Sequence, residues 1–224
     1  METLFELVAP NAKHPAKYSD ALLLPMASML KGKKRILDPF GGVGKVFLLT
    51  HWLPDALIEA VEIEPEWCRQ HPRTTLGDAL HLPWPDGAFN AICTSPTYSN
   101  RMRDTLIDGY KRLTYTAMLR RKLHPDNSGA MGGQAYKDFH RLAWREARRV
   151  LCADGVMVLN CKDYFENFQR VHVTDWHIEC LHSLGFRLIQ HEKVDVPSMR
   201  YGQNNELRMT YESVLLFEKE DPPV

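Results

Sequence analysis

The sequence predicts an α/β fold whose central sheet is mainly parallel. Short apolar runs that are typical of buried strands alternate along the chain with segments of helical periodicity. A glycine-rich turn at 38–44 connects the first apolar run to the helix that follows it. The last two apolar runs, 186–194 and 211–217, have no helix between them. This arrangement predicts an antiparallel pair at one edge of the sheet.

The first elements are predicted from apolar patterns that prolines interrupt. Residues 16–30 have the pattern of a partly buried helix, which Pro25 should kink. Strand 33–38 runs into the glycine turn, and the helix behind that turn should stop at the next proline. Strand 57–62 precedes a short helix that begins at Pro65, because proline is well placed in a first helical turn.

The middle of the chain combines two strands with one irregular segment. A short strand at 74–76 and a proline-glycine turn lead into strand 89–93. The segment 99–135 is basic at first and then rich in Gly, Ser, Asn and Pro. Because loops of this length usually serve a function or lack order, we interpret it as an inserted, flexible segment that faces the substrate.

Two helices frame the next predicted strand. Residues 136–151 carry apolar side chains on one side, which indicates an amphipathic helix. Gly155 then introduces strand 156–160. A further helix is predicted at 173–184, and Gly185 supplies the residue that commonly ends a helix. The final antiparallel pair follows it directly.

Composition restricts the classes of function. The 224 residues fit a single domain, 1–224, with a substantial core. The 28 basic and 28 acidic residues balance, which argues against a strongly electrostatic nucleic-acid binder but permits a local basic patch. No apolar run is long enough to span a membrane. The five scattered cysteines are typical of reduced cytoplasmic thiols, so we expect a cytoplasmic protein without a metal site.

The glycine turn and the end of the second strand form a nucleotide-binding pattern. Gly42 and Gly44 have no Cβ, so a ligand can approach the backbone closely, and the amide groups of the next helix point back at it. Glu62 ends the second strand, where a carboxylate suits a ribose diol. Glu64 competes for this role or caps the next helix. The pattern predicts an adenosine-containing cofactor.

The fourth strand leads into Ser95-Pro96-Thr97-Tyr98. At this point the chain resembles the class I S-adenosylmethionine-dependent methyltransferases, and more narrowly the branch that methylates exocyclic amines of nucleic-acid bases. That branch carries an acidic residue or serine, two prolines and an aromatic residue here, and Thr97 replaces the second proline. The resemblance covers about 14–217. It implies a Rossmann-like, doubly wound, seven-stranded, mostly parallel sheet with an antiparallel edge strand.

The resemblance implies S-adenosylmethionine as the cofactor. The residues predicted to bind it are Asp38, Phe40, Gly42, Gly44, Glu62, Asp78, Lys17 and Ser19. The last two lie in His14–Ser19, which is similar to a family segment near the methionine end of the cofactor. Asp78 is expected to contact the adenine amine. As alternatives, Asp38 caps the glycine turn, Asp78 is an ordinary turn residue, and the N-terminal segment is a surface turn before a helix.

The predicted catalytic residues are Ser95, Pro96 and Tyr98. The Ser95 hydroxyl and the Pro96 carbonyl would accept the two hydrogens of the target amine and draw its nitrogen toward a tetrahedral geometry. Tyr98 would stack on the base, which leaves the duplex at a cost of roughly a few kcal/mol. An aromatic platform returns on the order of 1–3 kcal/mol. As alternatives, the motif is a strand-ending turn and Tyr98 a core aromatic.

Basic and amide side chains near the motif are candidates for nucleic-acid contacts. We predict such contacts for Arg101, Arg103, Arg120, Arg121, Arg200 and Asn204. The alternative is a solvated helix face. The sequence leaves no room for a separate recognition domain, so specificity should be short, loose or supplied by a homodimer partner.

We therefore predict a DNA methyltransferase, in which Ser95 favours cytosine N4 slightly over adenine N6 by analogy with the family. Its DNA could be single- or double-stranded, and its role restriction-associated, regulatory or phage-borne. One alternative is an RNA methyltransferase that acts on a base amine. A second is a non-catalytic protein that binds the cofactor or DNA, and a third is a nicotinamide-dependent oxidoreductase. A small-molecule methyltransferase has no need of the Ser-Pro-x-Tyr loop.

Overall fold

The computed structural model describes residues 14, 17–98, 114–196 and 207–220. A seven-stranded sheet forms the centre, and a two-stranded hairpin lies beside it. The strands are β1 (Arg35–Asp38), β2 (Leu57–Glu62), β3 (Thr74–Leu76), β4 (Phe89–Thr94), β5 (Leu151–Cys161), β6 (Tyr164–Glu166), β7 (Gln169–Val171), β8 (Phe186–Asp195) and β9 (Tyr211–Lys219). Strands β6 and β7 form the hairpin.

The order of the main sheet is β3-β2-β1-β4-β5-β9-β8. Neighbouring strands from β3 to β5 are parallel, and β9 is antiparallel to both β5 and β8. The predicted Rossmann-like, mostly parallel sheet is therefore confirmed. The antiparallel pair lies at the predicted edge, with β8 outermost and β9 between β8 and β5. The strand order reverses between β1 and β4, where ligands bind in open α/β sheets.

The helices cover both faces of the sheet. They are α1 (Leu23–Met29), α2 (Pro65–Cys68), α3 (Tyr115–Leu119), α4 (Gly133–Val150) and α5 (Val173–Ser183). Short 3-10 helices span Asp20–Leu22, Lys45–His51 and Ser128–Ala130. The segment after the glycine turn is thus a 3-10 helix that ends at His51. The hairpin was not predicted from sequence. Its turn places Asn167 and Phe168 at positive φ, a conformation that a phenylalanine does not signal.

Two hydrophobic layers cover the sheet, one on each face. In β1, Leu37 packs into the layer under α4, and Ile36 packs into the layer that contains Leu22 of the first 3-10 helix and Phe47. Trp144 of α4 is fully buried in the first layer. Burial of the alternate side chains of β1 on opposite faces fixes the register of the strand, and with it the positions of the residues that follow its end.

Candidate active site

Asp38 joins the ends of two neighbouring strands. It is the last residue of β1 and is 3% exposed. Its Oδ1 accepts hydrogen bonds from the Phe40 amide at 3.0 Å and from Thr94 Oγ1, at the end of β4, at 2.6 Å. Burial raises the pKa of Asp38 to about 6, and these two hydrogen bonds oppose the shift. Asp38 therefore caps the glycine turn and also ties it to β4.

The glycine turn is attached to β2 through its backbone. Gly41 N donates to Val61 O at 2.8 Å, and Gly42 N donates to Glu62 Oε2 at 2.8 Å. Gly42 and Gly44 have φ angles of +53° and +82°. These angles lie in the left-handed region that favours glycine. The turn thus needs glycine at both positions for its own conformation.

Glu62 is held by two backbone amides. Its Oε2 accepts from Gly42 N and its Oε1 from Glu64 N, both at 2.8 Å. The side chain is buried, and burial raises the pKa of Glu62 to about 7 while the two amides oppose the shift. Glu62 thus ends β2 directly against the glycine turn, at the place where the sequence predicts a ribose contact.

Glu64 has different hydrogen-bond partners from Glu62. It is fully buried and binds residues 114–131, which we name the bridging segment. Glu64 Oε1 accepts from the His124 amide and from Asn127 Nδ2, both at 2.8 Å, and Oε2 accepts from Arg121 at 2.6 Å. Glu64 therefore anchors this segment to the end of β2.

A cavity of about 530 Å³ lies at the ends of β2 and β3. The residues around it include Ile63, Glu64, Leu76, Gly77, Asp78 and Arg121. Asp78 Oδ1 also accepts from the Leu80 amide at 2.9 Å, so Asp78 caps its turn and lines the cavity. The cavity combines apolar walls with carboxylates, which suits a ligand that has a flat apolar ring and a polar sugar.

The basic residues of the bridging segment are placed differently from each other. Arg121 forms ion pairs with Glu64 and Glu66 and lowers the pKa of Glu66 to about 2. Its guanidinium is therefore engaged by carboxylates at the cavity. Arg120 is exposed and adopts a left-handed conformation at φ 56°. Four predicted nucleic-acid contacts lie outside the described residues, namely Arg101, Arg103, Arg200 and Asn204.

The N-terminal motif contributes a residue that sequence reasoning did not single out. The Ser19 hydroxyl caps the first 3-10 helix, and Lys17 is exposed. His14 instead lies beside the glycine turn. A Cβ added to Gly42 would lie 3.7 Å from His14 Nε2, and the rings of His14 and Trp67 are 4.2 Å apart. Burial lowers the pKa of His14 to about 4, so it is a neutral ring at this edge.

Phe40, predicted to bind the cofactor, packs its ring under α4. Its ring centroid is 5.6 Å from that of His140 in a stacked geometry and 5.8 Å from that of Trp144. His140 is fully buried, and burial lowers its pKa to about 4. The described contacts of Phe40 therefore fix the base of the glycine turn.

A polar cluster lies where β4 and β5 end and β9 begins. We name it the Ser95 cluster, and it consists of Ser95, Tyr98, Asn160 and Glu212. Asn160 Nδ2 lies 3.0 Å from Ser95 Oγ, 2.8 Å from Tyr98 Oη and 2.8 Å from Glu212 Oε2. Ser95 Oγ and Tyr98 Oη are 3.2 Å apart. Tyr98 Oη donates to Glu212 Oε2 at 3.1 Å. The structure thus brings the two predicted side chains together.

Asn160 and Glu212 were missed by the sequence analysis. Asn160 is fully buried in β5, and Glu212 is 8% exposed in β9. A polar residue within the apolar run 156–160 was the available signal, since buried amides and carboxylates need partners. Lys162 Nζ lies 3.9 Å from Glu212. Burial raises the pKa of Tyr98, and the Glu212 carboxylate adds to this effect, so the phenol keeps its proton.

Thr97 connects residues 95–98 after β4, which we name the Ser95 loop, to the bridging segment. Its hydroxyl lies 3.0 Å from Ser128 Oγ, a contact that proline at this position could not make. Ser128 follows Asn127, which is bound to Glu64. The bridging segment therefore contacts the end of β2 on one side and the loop after β4 on the other.

The described ranges contain neither a candidate metal-binding cluster nor a candidate membrane-spanning helix. No group of three or more His, Cys, Asp or Glu side chains there could hold a metal ion. None of the helices in those ranges combines the length and the apolar character needed to cross a bilayer.

Solved structures share this fold. One is a S-adenosylmethionine-dependent methyltransferase from Methanosarcina mazei, with a TM-score of 0.57 and 10% identity over 92% of this chain and 99% of that chain. Another is the 1,6-didemethyltoxoflavin-N1-methyltransferase of Burkholderia thailandensis with bound S-adenosylhomocysteine, with a TM-score of 0.51 and 16% identity over 90% and 79%. A third is the cyclase SpnF, with a TM-score of 0.54 and 16% identity over 98% and 95%.

Comparisons of the sequence with protein-family models and with curated proteins gave no match. The structural likeness therefore establishes the fold, which is that of the class I S-adenosylmethionine-dependent methyltransferases. Because a cyclase shares the fold, the reaction has to be argued from the site.

Proposed function

We propose that this protein is a S-adenosylmethionine-dependent methyltransferase that modifies an exocyclic amine of a DNA base, with cytosine N4 favoured over adenine N6. The observation that carries the proposal is the position of Ser95. Its hydroxyl lies just beyond the end of β4, one residue from Thr94, which is hydrogen-bonded to Asp38 at the base of the glycine turn. A hydrogen-bond acceptor for an amine is thus attached to the edge that would hold the methyl donor.

The glycine turn and the neighbouring cavity fit the donor. The left-handed glycines open the backbone at the turn, Glu62 offers a carboxylate, and Asp78 lines the cavity with Ile63 and Leu76. These residues would hold the ribose and the adenine. When bound, S-adenosylmethionine supplies a methyl group on a sulfonium centre that needs no activation by the protein. The protein must therefore position the acceptor in line with that group.

The Ser95 loop fits a planar aromatic amine. The Ser95 hydroxyl and the Pro96 carbonyl would accept the two amine hydrogens, which weakens conjugation of the nitrogen with its ring. The Tyr98 ring is half-buried, and its hydroxyl is fixed by Asn160 and Glu212. A ring held at one end offers a rigid surface for stacking at a low cost in side-chain entropy. Stacking of this kind is how extruded bases are held.

Transfer of a labelled methyl group tests the proposal. The protein is incubated with S-[methyl-³H]adenosylmethionine and, in separate reactions, with double-stranded DNA, single-stranded DNA and tRNA. We expect label in DNA and none with Ser95→Ala. Label only in tRNA would show that the substrate is RNA and not DNA. No label in any nucleic acid, while calorimetry shows that S-adenosylhomocysteine binds, would contradict methylation of a base and leave a cofactor-binding protein.

A further inference from the structure

We propose that Glu212 is the final proton acceptor of this site and is reached from Ser95 through the hydroxyl of Tyr98. This inference rests on the proposed function. Glu212 acts through Tyr98 and is therefore a positioning residue for Ser95 as well as the group that takes up the proton. It lies 117 positions after Ser95 in the sequence and reaches the site on β9.

The first support is a continuous path of hydrogen bonds. Ser95 Oγ is 3.2 Å from Tyr98 Oη, and Tyr98 Oη donates to Glu212 Oε2 at 3.1 Å. Both distances allow a proton to move between the atoms after a small contraction. Two hydroxyl groups in series therefore connect the proposed position of the amine with a buried carboxylate.

The second support is the direction in which the hydroxyl protons point. Asn160 Nδ2 has two protons and lies within 3.0 Å of three acceptors, Ser95 Oγ, Tyr98 Oη and Glu212 Oε2, so it donates to two of them at a time. The phenol proton is then directed to Glu212, since a carboxylate only accepts. When Ser95 Oγ accepts an amine hydrogen, its own proton is left to point at Tyr98 Oη. The whole path is thus oriented from the amine toward Glu212.

The third support is chemical need. The amine nitrogen uses its lone pair to bond to the methyl carbon, while the carbon–sulfur bond breaks and its electron pair stays on sulfur. The nitrogen becomes positively charged and must lose a proton. One proton passes from the nitrogen to Ser95 Oγ, the Ser95 proton passes to Tyr98 Oη, and the Tyr98 proton passes to Glu212. One positive charge on sulfur and one negative charge on Glu212 are both neutralised.

The groups around Glu212 allow its carboxylate to accept the proton. Lys162, directly after β5, places its Nζ 3.9 Å from Glu212 Oε1. Cys161, on β5, has its pKa raised to about 12 by burial and stays uncharged. Val194 pairs with Glu212 on the β8 side and carries no charge. Among the described residues, Glu212 supplies the only carboxylate within hydrogen-bond distance of Tyr98.

The inference is tested with the full-length protein and a DNA substrate that the wild type methylates. We expect Glu212→Gln to lower kcat about 100-fold, while the KM for DNA and the Kd for S-adenosylhomocysteine change less than about threefold. The kcat of Glu212→Gln should also rise with pH between 7 and 9, as hydroxide takes over the proton, while the wild type stays flat. Glu212→Asp, which keeps the charge, should recover much of kcat and the flat profile.

Two further variants make the test specific. Tyr98→Phe keeps the ring and breaks the path, so it should match the loss of Glu212→Gln, and the double variant should lose no more than either one because the groups act as a unit. Glu218→Gln is the control, since Glu218 lies on the same strand and pairs with Arg187 on the surface.

Three results would overturn the inference. The first is a Glu212→Gln kcat within about threefold of the wild type. The second is a loss of kcat that comes with equal losses of DNA and S-adenosylhomocysteine affinity and has no pH dependence, because that pattern reports a structural role. The third is additive losses in the double variant. An inactive wild type would contradict the proposed function instead, so the two failures are distinguishable.

Discussion

The glycine turn and the Ser95 cluster lie at the same edge of the sheet but are built in different ways. The glycine turn is held mainly by backbone amides that donate to residues 2 or 20 positions away, and one side-chain hydrogen bond joins Thr94 to Asp38. The Ser95 cluster is held by side chains alone, between residues 3 to 114 positions apart. A local backbone motif is robust to its surroundings, whereas the cluster depends on the correct pairing of β4, β5 and β9.

The largest expected effect is on the Ser95 side. Ser95→Ala removes the proposed amine acceptor, and Tyr98→Ala removes the proposed stacking surface and proton path. Each should lower turnover by about 1000-fold or more. Donor affinity should stay within about tenfold, or about 1.4 kcal/mol, because the glycine turn is built independently. Single-turnover kinetics and calorimetry with S-adenosylhomocysteine measure the two quantities. Full activity in both variants would show that the pocket lies elsewhere.

A substitution in the glycine turn should instead weaken binding of the cofactor. Gly42→Val forces a β-branched residue into a left-handed conformation and fills space above the turn. S-adenosylhomocysteine should bind on the order of 100-fold more weakly. Gly32→Val is the matched control, because Gly32 has a φ of +82° but nothing within 4 Å of an added Cβ. Equal losses of ligand affinity in both variants would mean that general strain, and not the turn, is responsible.

A smaller effect is expected of pH on the affinity for S-adenosylhomocysteine. The pKa of Glu62 is raised to about 7, so the ligand-free protein holds a proton there below pH 7. Ribose hydroxyls donate best to the ionised carboxylate. The affinity for S-adenosylhomocysteine should therefore rise by at most about tenfold per pH unit up to about pH 7, and stay constant above it. Calorimetry from pH 5.5 to 8.5 tests this. If Glu62→Gln shows the same pH dependence, another group is responsible.

The smallest effect should come from loss of the contact between Thr97 and Ser128, which links the Ser95 loop to the bridging segment. Thr97→Val removes the hydroxyl that contacts Ser128, and a lost hydrogen bond of this kind costs about 1 kcal/mol. We expect a drop of a few-fold in kcat/KM for DNA. In a double-mutant cycle with Ser128→Ala, the two losses should be less than additive. Strict additivity would show that the contact does not couple the loop to the bridging segment.

The same contrast explains what the sequence could predict. The parallel sheet, the antiparallel pair, the glycine turn and the position of Glu62 follow from local patterns of apolar residues, glycine and proline. Asn160 and Glu212 could not be placed in the site, because their proximity depends on the register in which Asn160 pairs with Val214 across β5 and β9. Register between strands distant in sequence is set by packing of the whole sheet.

Other positions were decided by tertiary packing. The ring of Phe40 follows the predicted turn but is drawn under α4 by His140 and Trp144. Arg121 belongs to a basic run in sequence, and the burial of Glu64 draws it to the cavity as a counter-ion. A buried carboxylate needs a counter-ion or several hydrogen-bond donors, and sequence alone does not show which carboxylates are buried.

The central claim is that an amine of a DNA base is presented at Ser95. Mass spectrometry of nucleosides from DNA incubated with S-adenosylmethionine and either the wild type or Ser95→Ala tests it most directly. We expect N4-methylcytosine with the wild type and only background with Ser95→Ala, and N6-methyladenine would correct the base while keeping the site. A methyl group on a carbon or ring nitrogen, or equal modification by Ser95→Ala, would contradict the claim.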